Sequence, residues 1–461
     1  MKRSAWLAVA IGLLPVLCVW VHKVLLHPRP FWITFYDPET LYFYNALRIA
    51  TARWPLPLET PGGPVILMSV PLALLTGRTP LTFDAFRLLA YSLTFVLTIG
   101  TAYLLARVVL RDVPPILGAI AIFTFFAAPQ ALEYFTVWSP EAVYFVVGGV
   151  AAALIWRELR EGGSTLLAAL AIGLCIATKF TFVAWVPAHL LALIVARRWR
   201  RIPVAVCGYV AGFVLFTIPI IPNYGAIFGR LFQFASRSGE YGSGSASLAP
   251  SSVLAGAVAS AKVWHAWLLL IAIGAVIAAW RKRKLLPLVV FGIAATVMTY
   301  AVAIRYMPPR YILANGVTAA LLFAVAAHAV QRRDVLAAVC LLAVGVGAKA
   351  IAGDLRTHRE RLVEGVAAHH AIHAAVRGVV VYGWRAPEPS FALRILAYDD
   401  RWLRLIETRY PNDGHYNPWH GGIILPQGVS SWNYAVLNDD DARSVPGTRI
   451  GRVGDLNVIR R

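Results

Sequence analysis

The segment Asp37-Pro38-Glu39 places two carboxylates just behind the first membrane-length apolar stretch, residues 5–26. A carboxylate within hydrogen-bond reach of a hydroxyl can take its proton as the oxygen attacks, so acidic residues at a bilayer boundary fit general-base chemistry at that surface. The same residues also read as a helix opening, because Asp at a cap position accepts backbone N–H groups and Pro is tolerated in the first turn. Glu141, in Trp138-Ser139-Pro140-Glu141-Ala142-Val143-Tyr144, is equally two-sided: a supporting carboxylate for the reaction or for an arginine, or a cap. Lys179, Arg305 and Arg310 fall at the expected outer ends of apolar segments. A cation placed there either meets a negative partner or snorkels to the interface.

The elements that must position these residues are membrane spans. Of the 461 residues, 59% are hydrophobic and 14% charged, and the mean hydropathy is +0.64. A water-soluble domain cannot bury that much apolar surface, whereas serial spans account for it. The net charge of +20 would fit a nucleic-acid partner, but the Lys and Arg residues fall largely in short runs between apolar segments, so the charge reads as topology and no nucleic acid is expected. Cys18, Cys175, Cys207 and Cys340 all sit in apolar stretches without C-x-x-C spacing, which implies neither a disulfide nor a metal or redox site. Residues 1–26 lack a small-x-small cleavage site and read as a retained signal anchor, with Lys2 and Arg3 on the cytoplasmic side.

Apolar windows lie near 5–26, 83–106, 114–132, 140–156, 164–178, 181–196, 202–222, 263–280, 285–303, 311–330 and 335–352, about eleven crossings. Arg107/Arg111, Arg157/Arg160, Arg197 to Arg201, Arg281 to Lys284 and Arg332-Arg333 then all fall in cytoplasmic loops. That agreement requires the stretch Gly63 to Gly77, short and carrying Pro64 and Pro71, to lie in the outer interface rather than span. The expected architecture is an all-α polytopic membrane domain over 1–352, with a first outer loop at 27–80 containing interfacial helices. From 353 the composition turns polar, so 353–461 is expected as a small α/β domain on the extracytoplasmic side, with strands at Gly378 to Gly383, Gly421 to Leu425 and Ile450 to Ile459 and a helix over 388–398.

Within that domain His369, His370 and His373 include an i, i+4 pair that suits a metal, but no third ligand is evident and a solvated helix face is expected. Asp439-Asp440-Asp441 is expected as a polar turn rather than a calcium site. The aromatic residues from Trp384 to Tyr434 are expected mainly in the domain core. No P-loop or G-x-G-x-x-G follows a strand, so a nucleotide-sugar donor is unsupported.

In order along the chain, several short segments resemble the GT-C superfamily of membrane glycosyltransferases that use lipid-phosphate-linked sugars, and especially the bacterial protein O-mannosyltransferase and aminoarabinose transferase-like (family 39-like) group. Asp37 in Phe35-Tyr36-Asp37-Pro38-Glu39 matches the acidic residue of the first outer loop in that superfamily. Glu59-Thr60-Pro61-Gly62-Gly63-Pro64 is similar to its His-Pro-Gly-Thr-Pro segment, with Thr60 in place of His and Gly63 in place of Thr. Pro140-Glu141-Ala142-Val143-Tyr144 resembles its Pro-Glu-x-x-Tyr, Thr178-Lys179 its Thr-Lys turn, and Arg310-Tyr311-Ile312-Leu313 its Arg-Tyr-Leu-Leu.

The resemblance implies a GT-C-like fold and transfer of a sugar from a polyprenyl-phosphate donor to a polysaccharide, lipid or protein acceptor at the outer face of a bacterial inner membrane. Asp37 would be the general base, with Glu39 and Glu141 beside it in the catalytic set. Lys179, Arg305 and Arg310 would neutralise the leaving lipid phosphate. Relatives differ in whether they need a divalent metal, so the resemblance fixes no cofactor. The rival reading is a transporter or flippase of lipid-linked saccharide, which predicts inverted repeats and charged or Gly/Pro-broken helices at the midplane, with no need for an outer catalytic loop; the sequence shows no internal repeat.

Overall fold

Each of the eleven apolar windows corresponds to a helix in the computed structural model, which describes residues 2–33, 37–56, 62–127, 129–237, 267–303, 312–328, 333–384, 386–394, 397, 400–417 and 422–461. Among the described residues, six helical segments are long and apolar enough to cross a membrane, by length and composition: Arg3–Leu26, Pro80–Val108, Pro140–Glu161, Trp199–Gln233, Arg283–Ala301 and Ala338–Ala375. Shorter apolar helices lie between them, including Pro115–Ala127, Thr165–Thr178, Phe180–Val195 and Asn315–Ala327. The stretch set apart as interfacial forms its own short helix, Gly63–Thr76, with Pro71 inside it.

The chain divides into two compact units. The first comprises Met1–Val21, Trp54–Met68 and Tyr91–Asp354. Helix packing in it relies on small residues, because in lipid the association of helices depends on close van der Waals contact rather than on hydrophobic burial. Helices Thr165–Thr178 and Ile202–Thr217 pack backbone against backbone. A Cβ on Gly173 would lie 2.5 Å from the Tyr209 carbonyl oxygen, and one on Gly212 would lie 2.4 Å from that of Leu170.

The basic loops of this unit converge. Arg160 reaches Asp112 at 3.6 Å and the His328 ring at 3.0 Å, and Lys282 donates to the His328 carbonyl at 2.8 Å. Arg160, Lys282, Arg283, Lys284 and His328 line one cavity of about 330 Å³. Loops from three parts of the sequence that were assigned to one face by their positive charge therefore do share an end of the bundle.

The second unit comprises His22–Arg53, Ser69–Ala90 and Leu355–Arg461. The change to polar composition at 353 falls inside a single 43-residue helix, Arg333–Ala375. Residues 353–375 are rich in Ala, Arg, Glu and His and lack Pro, so nothing stops the helix where its apolar character ends. Six strands follow among the described residues: β1 (Val380–Tyr382), β2 (Asp413–Asn417), β3 (Gly422–Ile424), β4 (Tyr434–Leu437), β5 (Thr448–Val453) and β6 (Leu456–Arg460). Their order is β3-β2-β1-β4-β6-β5.

The central strand β1 runs parallel to β2 and β4, pairing Val380 with Asp413 and with Tyr434, while the other pairings are antiparallel. Parallel neighbours need a covered crossover, and helices Pro389–Arg394 and Asp400–Arg409 lie between β1 and β2 in the chain. Val381, Tyr416, Trp432, Ala435, Leu437 and Ile459 form one buried cluster, and Trp402 is buried as well, whereas Trp384, Tyr410 and Tyr434 are only partly buried, so the aromatic residues divide between core and surface. The expected strand at Ile450 to Ile459 is a hairpin of β5 and β6, turned at Gly454, whose φ of 56° favours glycine.

Candidate functional site

Asp37 is the first residue of helix Asp37–Ala50, in the second unit. Glu39, two residues on, is 2% exposed and faces the Arg87 guanidinium, with Oε2 3.3 Å from Nε. Arg87 is itself 5% exposed and donates from Nη1 to both Asp84 Oδ1 at 3.2 Å and the Arg29 carbonyl at 3.1 Å. A planar, five-donor guanidinium can serve three acceptors at once, which an ammonium on a flexible stem cannot do in fixed geometry. The first turn of this helix is thereby tied to helix Phe83–Val108 and to the segment that follows the first span.

The remaining turns of helix Asp37–Ala50 are fixed by aromatic residues. Phe43 packs on Phe83 and Phe86, with ring centroids 4.8 and 4.7 Å apart. Tyr44, fully buried, donates its hydroxyl to the Leu393 carbonyl and sits 5.4 Å from the Trp402 ring. The run Tyr42-Phe43-Tyr44 in the first loop therefore joins the C-terminal sheet region in one unit.

In the first unit, Glu141 lies in the 3-10 turn Pro140–Val143 and its side chain is 3% exposed. Lys179 occupies the extended residue between helix Thr165–Thr178 and the turn Phe180–Ala184, and its Nζ stands 3.0 Å from Glu141 Oε1. Three residues past Glu141 and two past Lys179 a second link forms, between the Tyr144 and Thr181 hydroxyls at 3.3 Å. The two motifs singled out separately in the sequence are thus neighbours. A buried ion pair of this kind fixes a cation in one place while cancelling much of its charge.

Arg305, Arg310 and the segment Glu59-Thr60-Pro61 lie outside the described residues. The aspartate run is the polar turn expected: Asn438 caps helix Asp439–Ala442, and Asp439 accepts from Arg452 and Asn457, each at 2.9 Å. The histidine pair departs from its expectation. His369 and His373 meet Glu388, and one ligand atom from each of the three lies within 4.8 Å of the others. Burial pushes the Glu388 carboxyl up to about 7, against the pull of the hydrogen bond from His373, and burial with the nearby Arg394 charge pushes the His415 imidazole down to about 4.

Sequence reasoning missed three polar anchors. Arg87, Tyr44 and the buried chain Glu158–His189–Tyr209, with both links at 2.6 Å, were not singled out. For the last a signal existed: an ionisable residue such as His189 inside an apolar segment requires a partner.

No known protein family profile matches the chain, and no curated protein matches it. Solved structures do. ArnT from Cupriavidus metallidurans, crystallised bound to undecaprenyl phosphate, superposes with a TM-score of 0.59 at 16% identity, covering 98% of this chain and 97% of that one. The same protein in its apo state gives a TM-score of 0.55 at 16% identity, covering 100% and 98%. Over essentially its whole length, membrane helices and C-terminal sheet region included, the chain has the ArnT-like GT-C fold.

Proposed function

We propose that this protein is a multi-pass glycosyltransferase of a bacterial inner membrane, moving a sugar from a polyprenyl-phosphate donor to an acceptor at the outer face. The observation that carries the reading is the end-to-end likeness in fold to a protein crystallised with undecaprenyl phosphate. The order of motifs along the chain supports the same reading.

In this reaction Asp37 takes the proton of the acceptor hydroxyl as its oxygen attacks the anomeric carbon from the face opposite the phosphate, inverting the configuration there. The helix that Asp37 opens is itself locked by packing and by a buried guanidinium, and a rigid element of that kind is what proton transfer by a base requires. Glu39 keeps that helix in place through Arg87 rather than exchanging protons. Lys179, positioned by Glu141, supplies positive charge to the departing lipid phosphate, with Arg305 and Arg310 sharing that task. The C-terminal domain lies on the extracytoplasmic side and contributes to the choice of acceptor.

The test is transfer of radiolabelled sugar from a panel of polyprenyl-phosphate sugars in proteoliposomes, comparing the wild type with Asp37→Asn. Product formation that Asp37→Asn abolishes, with the fold intact, is the expected result. Labelled lipid that crosses the bilayer chemically unchanged, with Asp37→Asn harmless, would replace the enzyme with a flippase.

A further inference from the structure

The pair His369 and His373 lies one helical turn apart near the end of helix Arg333–Ala375, a spacing that puts both rings on one face. Their target comes from beyond β1. Glu388 directs Oε2 to within 2.9 Å of His373 Nε2 and 3.5 Å of His369 Nδ1. The ligand atoms of a tetrahedral zinc ion, at 2.0–2.2 Å from the metal, stand about 3.3 Å from one another; the two spacings to Glu388 bracket that value, and all three ligand atoms lie within 4.8 Å of one another.

The surroundings have the properties of a built site. The Glu388 side chain is 5% exposed and is oriented further by the Ser390 backbone N–H. Trp32 covers His369, with ring centroids 4.4 Å apart. His373 is half exposed, which leaves an approach from water. A carboxylate buried this deeply is costly to ionise without a cation, and two imidazoles shared with it make a nitrogen-rich set that suits zinc better than calcium or magnesium.

We propose that His369, His373 and Glu388 bind one zinc-class divalent ion, with a fourth position open to water. The ion clips the polar end of the long helix to the Pro387-Glu388 segment that leads into helix Pro389–Arg394. His369 Nδ1, which otherwise donates to the Pro387 carbonyl at 2.9 Å, gives up that hydrogen bond to become a ligand. Residue 370 is His where the zinc proteases carry the catalytic Glu of H-E-x-x-H, so the site reads as a structural clip rather than a hydrolytic centre. This inference does not depend on glycosyl transfer.

The experiment uses the full chain purified in detergent, stripped with chelator and titrated with Zn²⁺, with bound metal counted by elemental analysis. Wild type is expected to hold one more equivalent than His373→Ala, whose affinity should fall about 100-fold. Alanine is a good helix former at a half-exposed helical position, so that variant keeps its fold. Glu388→Gln, close in volume, should lose the same equivalent. Amide hydrogen exchange at residues 386–394 should slow when zinc is added to wild type and stay unchanged in His373→Ala. Equal zinc content and equal exchange in wild type and His373→Ala would overturn the proposal.

Discussion

Lys179 and Glu141, 38 positions apart in the sequence, meet as a largely buried pair, the lysine side chain 15% and the glutamate 3% exposed, with Nζ 3.0 Å from Oε1. Glu141 lies in the turn that opens one apolar helix and Lys179 just past the end of another, so the pair sets the spacing of two spans as well as the place of a cation. Removing one partner leaves the other charged in a low-dielectric setting. Lys179→Met should therefore destabilise the protein by about 3–5 kcal/mol, and adding Glu141→Gln should restore most of that loss. Thermal inactivation in detergent measures both. Under the proposed function the double variant folds but transfers sugar poorly, because no cation faces the phosphate.

Arg87 permits a sharper separation of folding from positioning. Arg87→Lys keeps the charge but cannot serve Glu39, Asp84 and the Arg29 carbonyl together. The helix that begins at Asp37 should loosen, seen as faster hydrogen exchange over residues 38–42. Transfer should drop roughly tenfold in kcat with little change in donor KM, as expected when a base is displaced but the binding groups are not.

These pairings mark the limit of what the sequence conveys. The helices were legible because lipid imposes long apolar runs, and each window found its helix. The C-terminal strands were legible only where apolar residues cluster. Neither the short β2, with Asp413, Gly414 and His415 in it, nor the apolar but four-residue β4 was read as a strand, since the burial of each comes from the strands on either side. Asp37, Glu141 and Lys179 stood out by type and place, but neither Arg87 as the partner of Glu39 nor Glu388 as the partner of His369 and His373 did. Those partners come from distant segments, and nothing local to Pro387-Glu388 marks a ligand. The third metal ligand was invisible for the same reason.

Close helix contact gives a prediction with an internal control. At Gly173 a Cβ would meet the Tyr209 carbonyl oxygen at 2.5 Å and the Phe213 nitrogen at 2.7 Å, both backbone atoms that cannot turn aside. Gly173→Ala should cost about 1–3 kcal/mol or more by forcing the two helices apart. Gly100, inside helix Phe83–Val108, has nothing within 4 Å of its Cβ position, so Gly100→Ala should be neutral or stabilise by up to about 1 kcal/mol through helix propensity. Half-lives of the two variants at one elevated temperature test the contrast.

His415 and Glu388 titrate in opposition, and the consequence is a stability that hardly responds to acid. His415 stays neutral in the fold down to about pH 4, because it is buried and lies near Arg394. Its contribution is complete above the free imidazole value of about 6.5 and is lost as the pH falls through the folded value, a loss of about 3 kcal/mol. Glu388 has the reverse sign. Its burial raises the folded value to about 7, so its contribution is complete below the ordinary carboxyl value and is lost as the pH rises through 7. Burial raises Asp413 in the same direction. In chelator, hydrogen exchange of the β2 amides should then change little for wild type between pH 7 and 4, after correction for intrinsic rates. Glu388→Gln removes one side of the balance and should lose protection over that range, whereas His415→Phe removes the other and should gain it. If both variants keep the wild-type pH dependence, neither group is titrating as its surroundings require, and the burial of the two side chains is not what sets the acid response of this domain.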